Sequence, residues 1–222
     1  NNQSWLEFDG INDVVQNQTT TAFSDYLTGP SLTISAWINV PREKTDSEWE
    51  DTLNSSTIVW IQDDCGLLRY NRDPASGDTY LKIHIRNSTS GAQKSLNIDI
   101  NISHNEWHHV LGTLRGDENN LTLYYDGVLL GASGTSIENV PSGATADIGI
   151  GKDDNTRYFL GGIDEVRIYN RSVTDEEVLE IYNSGPTSNS SLNSTDLVLW
   201  YPFDEGGGSV AHDKSGNGIN GQ

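Results

Sequence analysis

Apolar residues in this chain recur at every second position in short runs, and this period restricts the fold more than any other feature. In Ser31 to Val40, Leu32, Ile34, Ala36 and Ile38 fall on one side of an extended segment, with Thr33, Ser35, Trp37 and Asn39 on the other. Leu81, Ile83 and Ile85 alternate with Lys82, His84 and Arg86, and Leu96, Ile98 and Ile100 alternate with Asn97 and Asp99. Successive side chains of a strand point to opposite faces, so period two means half-buried strands, whereas a helix would repeat at about 3.6 residues. Similar runs begin at Trp5, Thr57, Gly66, Glu106, Leu121, Val128, Ala146 and Gly162. Asp126-Gly127 supplies a type I′ hairpin signal between two of them. Pro41 to Ser56, with Glu43, Asp46, Glu48, Glu50 and Asp51 around Trp49, reads as a solvated loop.

One helix is expected. Thr174 and Glu177 form a capping box, Val173 and Val178 a hydrophobic staple, and Gly185-Pro186 ends the segment. About a dozen short strands with one peripheral helix imply an all-β fold, a sandwich of two antiparallel sheets. The repeat of roughly 40 residues that a propeller needs is not found.

Thr187 to Thr195 is rich in Ser and Asn and has the composition of a tether. Beyond it, Leu197-Val198-Leu199-Trp200-Tyr201-Pro202-Phe203 is an orphan strand with no later strand to pair with. The expected organisation is a core at 1–186, a linker at 187–196, and a terminal strand with a glycine-rich turn at 197–222.

Charge narrows the partners. With 32 acidic and 13 basic residues the chain carries a net charge of -19, which repels phosphate backbones and anionic lipid surfaces. Nucleic acid is therefore not an expected partner, and membrane insertion within this chain is not expected because no apolar stretch is long enough to span a bilayer. There is no methionine, so an initiator, signal or anchor is expected outside this numbering or already removed. The lone Cys65 has no internal disulfide partner and reads as a small buried hydrophobe. Asn2, Asn17, Asn54, Asn87, Asn101, Asn120, Asn170, Asn189 and Asn193 each open an Asn-X-Ser/Thr glycosylation signal. That is about twice the chance frequency and favours an exported glycoprotein, extracellular or on a cell surface.

Five landmarks then stand in order: Leu6-Glu7-Phe8-Asp9-Gly10, Leu32-Thr33-Ile34-Ser35-Ala36-Trp37, Glu106-Trp107-His108-His109-Val110, Leu123-Tyr124-Tyr125-Asp126-Gly127 and Gly162-Ile163-Asp164-Glu165-Val166-Arg167-Ile168-Tyr169-Asn170. With the helix after Val173, they resemble the laminin-G-like, concanavalin-A-like lectin and glucanase jelly rolls. In such modules a segment similar to Leu199 to Glu205, followed by one like Asp213 to Gly218, comes first; here it comes last. The resemblance thus implies a circular permutant or a repeat cut out of phase.

The resemblance also implies a structural calcium ion at Asp164, with Asp204, Glu205, Asp213 and Asn217 as further oxygen ligands; tight Asp/Asn/Gly turns supply such ligands. Catalysis is not expected. Glycoside hydrolysis needs two carboxylates flanking the bond, and the family's Glu-X-Asp-X-X-Glu strand is missing. His108 and His109 face opposite sides of one strand and read as one packed and one exposed histidine. Trp49, Trp60 and Tyr158 are the candidates for stacking on sugar rings.

Two functions remain open. The first is a structural or adhesion module, a repeating cell-surface or filament subunit that donates Leu197, Leu199, Trp200, Tyr201 and Phe203 to a neighbouring copy. The second is an extracellular carbohydrate-binding module whose tail folds back on its own domain.

Overall fold

The computed structural model describes residues 4–17, 23–27, 29–51, 54–61, 66–86, 93–134, 147–186 and 194–222. Two antiparallel sheets face each other. The strands are β1 (Leu6–Asp9), β2 (Val15–Asn17), β3 (Leu32–Asn39), β4 (Ser55–Ile61), β5 (Gly66–Arg72), β6 (Thr79–Arg86), β7 (Gln93–Asp99), β8 (Trp107–Arg115), β9 (Asn120–Tyr125), β10 (Val128–Gly134), β11 (Ile148–Ile150), β12 (Leu160–Tyr169) and β13 (Leu197–Tyr201). One sheet runs β1-β12-β3-β8-β9-β10, with β13 also on β12; the other runs β2-β11-β4-β5-β6-β7. The alternation in the sequence is what lets them meet. Ile34, Ile38, Val110, Leu123, Ile163 and Ile168 from the first sheet share a core with Val59, Ile61, Leu68, Leu81, Ile83 and Ile85 from the second. The approach is close at Gly112, where an added Cβ would lie 2.5 Å from the Ile83 side chain.

The hairpin from β9 to β10 forms as its sequence dictates, since Asp126 and Gly127 both adopt positive φ, 49° and 75°. Helix α2 (Asp175–Ser184) also forms as expected. Its capping box is present, with Glu177 N–H donating to Thr174 Oγ1 and Thr174 N–H donating to Glu177 Oε2. Val178 and Ile181 of α2 pack on Leu111, Tyr124, Tyr169 and Val173, on the outer face of the seven-stranded sheet. This cover changes β3. Its Thr33, Ser35 and Trp37 face is buried instead of solvated, because Tyr182 stacks on Trp37 at 5.6 Å and Thr33 Oγ1 donates to Arg171 O.

The expected loop at Pro41 to Ser56 holds a second helix, α1 (Asp46–Asp51). Thr45 and Glu48 cap it, the Thr45 N–H donating to Glu48 Oε2 at 2.7 Å. Its single large apolar residue, Trp49, is fully buried and donates Nε1–H to Glu43 Oε1. One side chain is too little to show a helical period, so the segment reads as loop.

The tail pairs with its own chain. Strand β13 lies along the second half of β12, with Tyr201 opposite Val166 and Leu197 opposite Tyr169. Strand β1 lies along the first half, with Leu6 opposite Ile163 and Asp9 opposite Leu160. Both run antiparallel to β12, so they lie end to end on one edge, and Ser4 Oγ donates to Phe203 O across the joint at 2.9 Å. Residues after β13 then cross to the other sheet, where the Gln222 backbone pairs with Gln16 of β2.

Asp213 holds this crossing together. Its carboxylate accepts from Trp200 N–H, Ser215 N–H, Ser215 Oγ–H and Ile219 N–H. The variant Asp213→Ala, measured by urea unfolding, is expected to lose about 2 kcal/mol, because several donors lose their acceptor at once. A change within experimental error would show that the tail's bonds contribute little.

Candidate functional site

The chain ends enclose a cavity where β13 meets β1. It measures about 540 Å³ and is lined by Trp5, Leu6, Val15, Phe203 and Val210, with Glu205, Ser4 and the Gly206–Gly208 run at its sides. The three glycines all have positive φ, so the loop turns in conformations that side chains rarely adopt. Trp5 is 48% exposed, a high value for an indole. Trp107 braces it edge to face at 5.8 Å, and the Trp5 Nε1–H donates to Glu7 Oε2 at 3.1 Å. Gly162 beneath makes room for the pair, since a Cβ there would lie 2.9 Å from Trp107 and 3.2 Å from Trp5. Glu205 is held too, its Oε1 accepting from His212 N–H at 2.8 Å. A fixed aromatic surface, apolar walls and a few polar groups are the common elements of a small-molecule site.

A buried charge cluster lies under the same edge. The register of β12 against β3 shifts between Asp164 and Arg167, and Glu165 takes a left-handed φ of 51° there. Asp164, Glu165 and Arg167 are all buried. Glu165 is ion-paired with Arg167 and accepts from Trp200 Nε1–H, while the Arg167 guanidinium lies over the Trp200 ring at 5.0 Å. β13 is therefore tied to β12 by side chains as well as by its ladder. Burial, then the neighbouring Glu165 charge, pushes the Asp164 carboxyl up to about 9, with a further push from Asp204. Burial raises Glu165 to about 7 against the pull of Arg167. Burial, helped by Arg167, lowers His109 to about 3 and keeps it neutral, with Nε2 2.8 Å from Ser35 Oγ.

The five residues expected to bind calcium are distributed over three roles. Asp164 and Asp204 interact through their charges. Glu205 lines the cavity, and Asp213 organises the tail. Asn217 donates Nδ2–H to Val198 O and Leu197 O. Among the described residues no three His, Cys, Asp or Glu side chains form a group that could share a metal ion.

The three aromatic residues expected to stack on sugars are elsewhere. Trp49 is in the core beside Tyr70, and Trp60 is buried in β4, 5% exposed. Tyr158 is half-buried, with the Lys152 ammonium over its ring at 5.3 Å. Neither tryptophan presents a face to solvent, because both sit on segments that pack against other parts of the chain. The sequence does not distinguish Trp5, since a tryptophan ahead of an edge strand looks like any core residue. Its one signal was position, immediately before a short strand at an open sheet edge.

Both histidines of β8 are buried, correcting the expectation that one is exposed. His109 lies beneath α2, close to Tyr182, and His108 bonds Asp126 Oδ2 and Ser103 Oγ. Leu199, Tyr201 and Phe203 are buried in the core of their own chain, with Leu197 and Trp200 half-buried. Of the glycosylation signals, Asn101 is exposed, Asn54, Asn120 and Asn170 are half-buried, and Asn17 is buried. Asn2, Asn87, Asn189 and Asn193, like Cys65, lie outside the described residues.

The family model of the concanavalin A-like lectin/glucanases superfamily matches residues 10–179. The chain belongs to this superfamily. The match stops short of β13, so the placing of that strand rests on the register described above. Among solved structures, a Bacteroides ovatus protein provisionally named a carbohydrate binding protein is 21% identical, with a TM-score of 0.64 over 99% of this chain and 58% of that one. A heptameric SAP-like pentraxin from Limulus polyphemus is 14% identical, with a TM-score of 0.59 over 82% of each chain. The botulinum neurotoxin serotype G binding domain is 16% identical, with a TM-score of 0.58 over 81% of this chain and 42% of that one. At these identities the likeness is one of fold. No curated protein sequence matches the chain.

The buried groups give a pH signature. His109 binds a proton near pH 6.5 when unfolded but only near 3 when folded, so stability falls as pH drops through that window. Asp164 behaves oppositely: it ionises near 3.8 when unfolded and near 9 when folded, so its cost grows as pH rises between those values. Thermal melts in chelator should therefore show Asp164→Asn melting above the parent at pH 8, with the gain shrinking towards pH 4. A pH-independent difference would contradict this assignment.

Proposed function

We propose that this chain is a non-catalytic carbohydrate-binding module that completes its own sandwich with its C-terminal strand and binds sugar in the cavity at the strand joint. The observation that carries the proposal is Trp5, a braced and half-exposed indole at the mouth of a cavity of about 540 Å³. A pyranose has one face of C–H groups that stacks on an indole, and hydroxyls that bond to Glu205, Ser4 and Ser209. Such stacking contributes on the order of 1 kcal/mol beyond burial. The provisional description of the Bacteroides ovatus protein agrees with this reading. With a net charge of -19 and many glycosylation signals, we place the module outside the cell as a glycoprotein. Among the described residues no helix is long and apolar enough to cross a membrane.

The register of β13 beside β1 supports the permuted arrangement over donation, because the acceptor edge of β12 is filled from the same chain. A filament or adhesive array would exchange the same strand between copies, and light scattering separates the two. The self-completed module stays monomeric as concentration rises, while donation gives mass that grows with concentration and that deletion of 197–222 abolishes.

For calcium, Asp164 with Asp204 is the pair that supports a site. A buried carboxyl that feels the charge of a second carboxylate is relieved either by keeping its proton or by a bound cation, and the remaining expected ligands serve the tail and cavity. Calcium added after chelation is expected to raise the melting temperature of the parent and to leave Asp164→Asn unmoved; an unmoved parent argues against the ion.

The binding site itself is tested by tryptophan fluorescence against a glycan panel. Trp5→Ala should abolish the sugar-dependent change and weaken binding about tenfold, with little loss of stability at so exposed a position. Full binding by Trp5→Ala would move the site elsewhere.

A further inference from the structure

The charge of the cavity selects among sugars. Among the described residues its lining holds one ionisable side chain, the Glu205 carboxylate, and no lysine, arginine or histidine. Glu7, which accepts from the Trp5 indole, places a second carboxylate just behind the platform. Asp204 adjoins Glu205, and the Lys214 ammonium acts on Asp204 without entering the lining. The chain as a whole carries -19, so no distant field offsets these groups. Glu205 is fixed in place by the His212 N–H, and an indole is the aromatic surface that best attracts a cation.

We infer that the cavity at the joint of β13 and β1 binds amino sugars, pyranoses bearing a free ammonium group, through Glu205 and the Trp5 face. The inference rests on the sugar reading of this cavity and adds the charge of the ligand. The ammonium pairs with the carboxylate while the ring's C–H face lies on Trp5. Uronates and sulfated sugars are repelled by the same carboxylate. N-acetylation removes the charge and with it the advantage.

Titration calorimetry with tryptophan fluorescence tests this near pH 6, below the titration of an alkyl amine. The ligands are glucosamine, N-acetylglucosamine, methyl glucoside and glucuronate. Glucosamine is expected to bind about fivefold more tightly than the two neutral sugars, glucuronate most weakly, and the advantage should shrink in high salt. In Glu205→Gln, which keeps an acceptor for His212 N–H, the ratio of glucosamine to N-acetylglucosamine should fall to about one. A melting curve verifies that this variant is folded, and the salt titration of the parent stands as an independent readout. Equal binding of charged and acetylated ligands, or a preference that survives Glu205→Gln, overturns the amino-sugar inference and leaves the sugar reading intact. No response to any of the four overturns both.

Discussion

Strand β12 is the member on which the rest depends. It takes β3 along one edge and two collinear half-strands, β13 and β1, along the other. Neither half-strand is long enough to be stable by its own ladder, and each is held by something besides it. β1 sends Phe8 into the core, and β13 sends Leu199 and Tyr201 there while Trp200 is tied to Glu165 and Arg167. The bulge at Asp164 to Arg167 puts those charged groups under the edge. Burying an acid beside an ion pair is costly unless the geometry is nearly complete, and the indole of β13 supplies part of that geometry.

The cavity follows from this division. Two strands placed end to end leave a joint, and the chain on either side of it must turn away from the edge. Ahead of β1 that chain is Ser4 and Trp5; after β13 it is Phe203, Glu205 and the glycine run. A continuous edge strand would have filled the space with its own ladder. The cavity is thus a by-product of how the sandwich closes, and the crossing to Gln16 keeps its far wall in place.

Much of this was legible in the residues. The alternation in β3, β6 and β7, the Asp126-Gly127 turn and the Thr174 capping box are local signals, and each formed as read. What failed were inferences about exposure. Thr33, Ser35 and Trp37 alternate like a solvated face, yet Arg171, His109 and Tyr182 of α2 cover them in turn. Trp49 stands among acids and is nonetheless in the core. Trp5, the most exposed of the tryptophans, is marked only by its position just ahead of a short strand. Exposure depends on what packs over a residue, and a period of two cannot report a partner from another part of the chain.

By itself the sequence determined that the chain forms short antiparallel strands and the capped helix α2, and that it carries a strong negative charge. These follow from side-chain alternation, turn chemistry and the count of ionisable groups. Tertiary structure decided where the last strand goes, which aromatic residue faces solvent, and which carboxylates meet. Those outcomes depend on a single edge of β12 being shared by both ends of the chain, a relation between segments that no local pattern encodes.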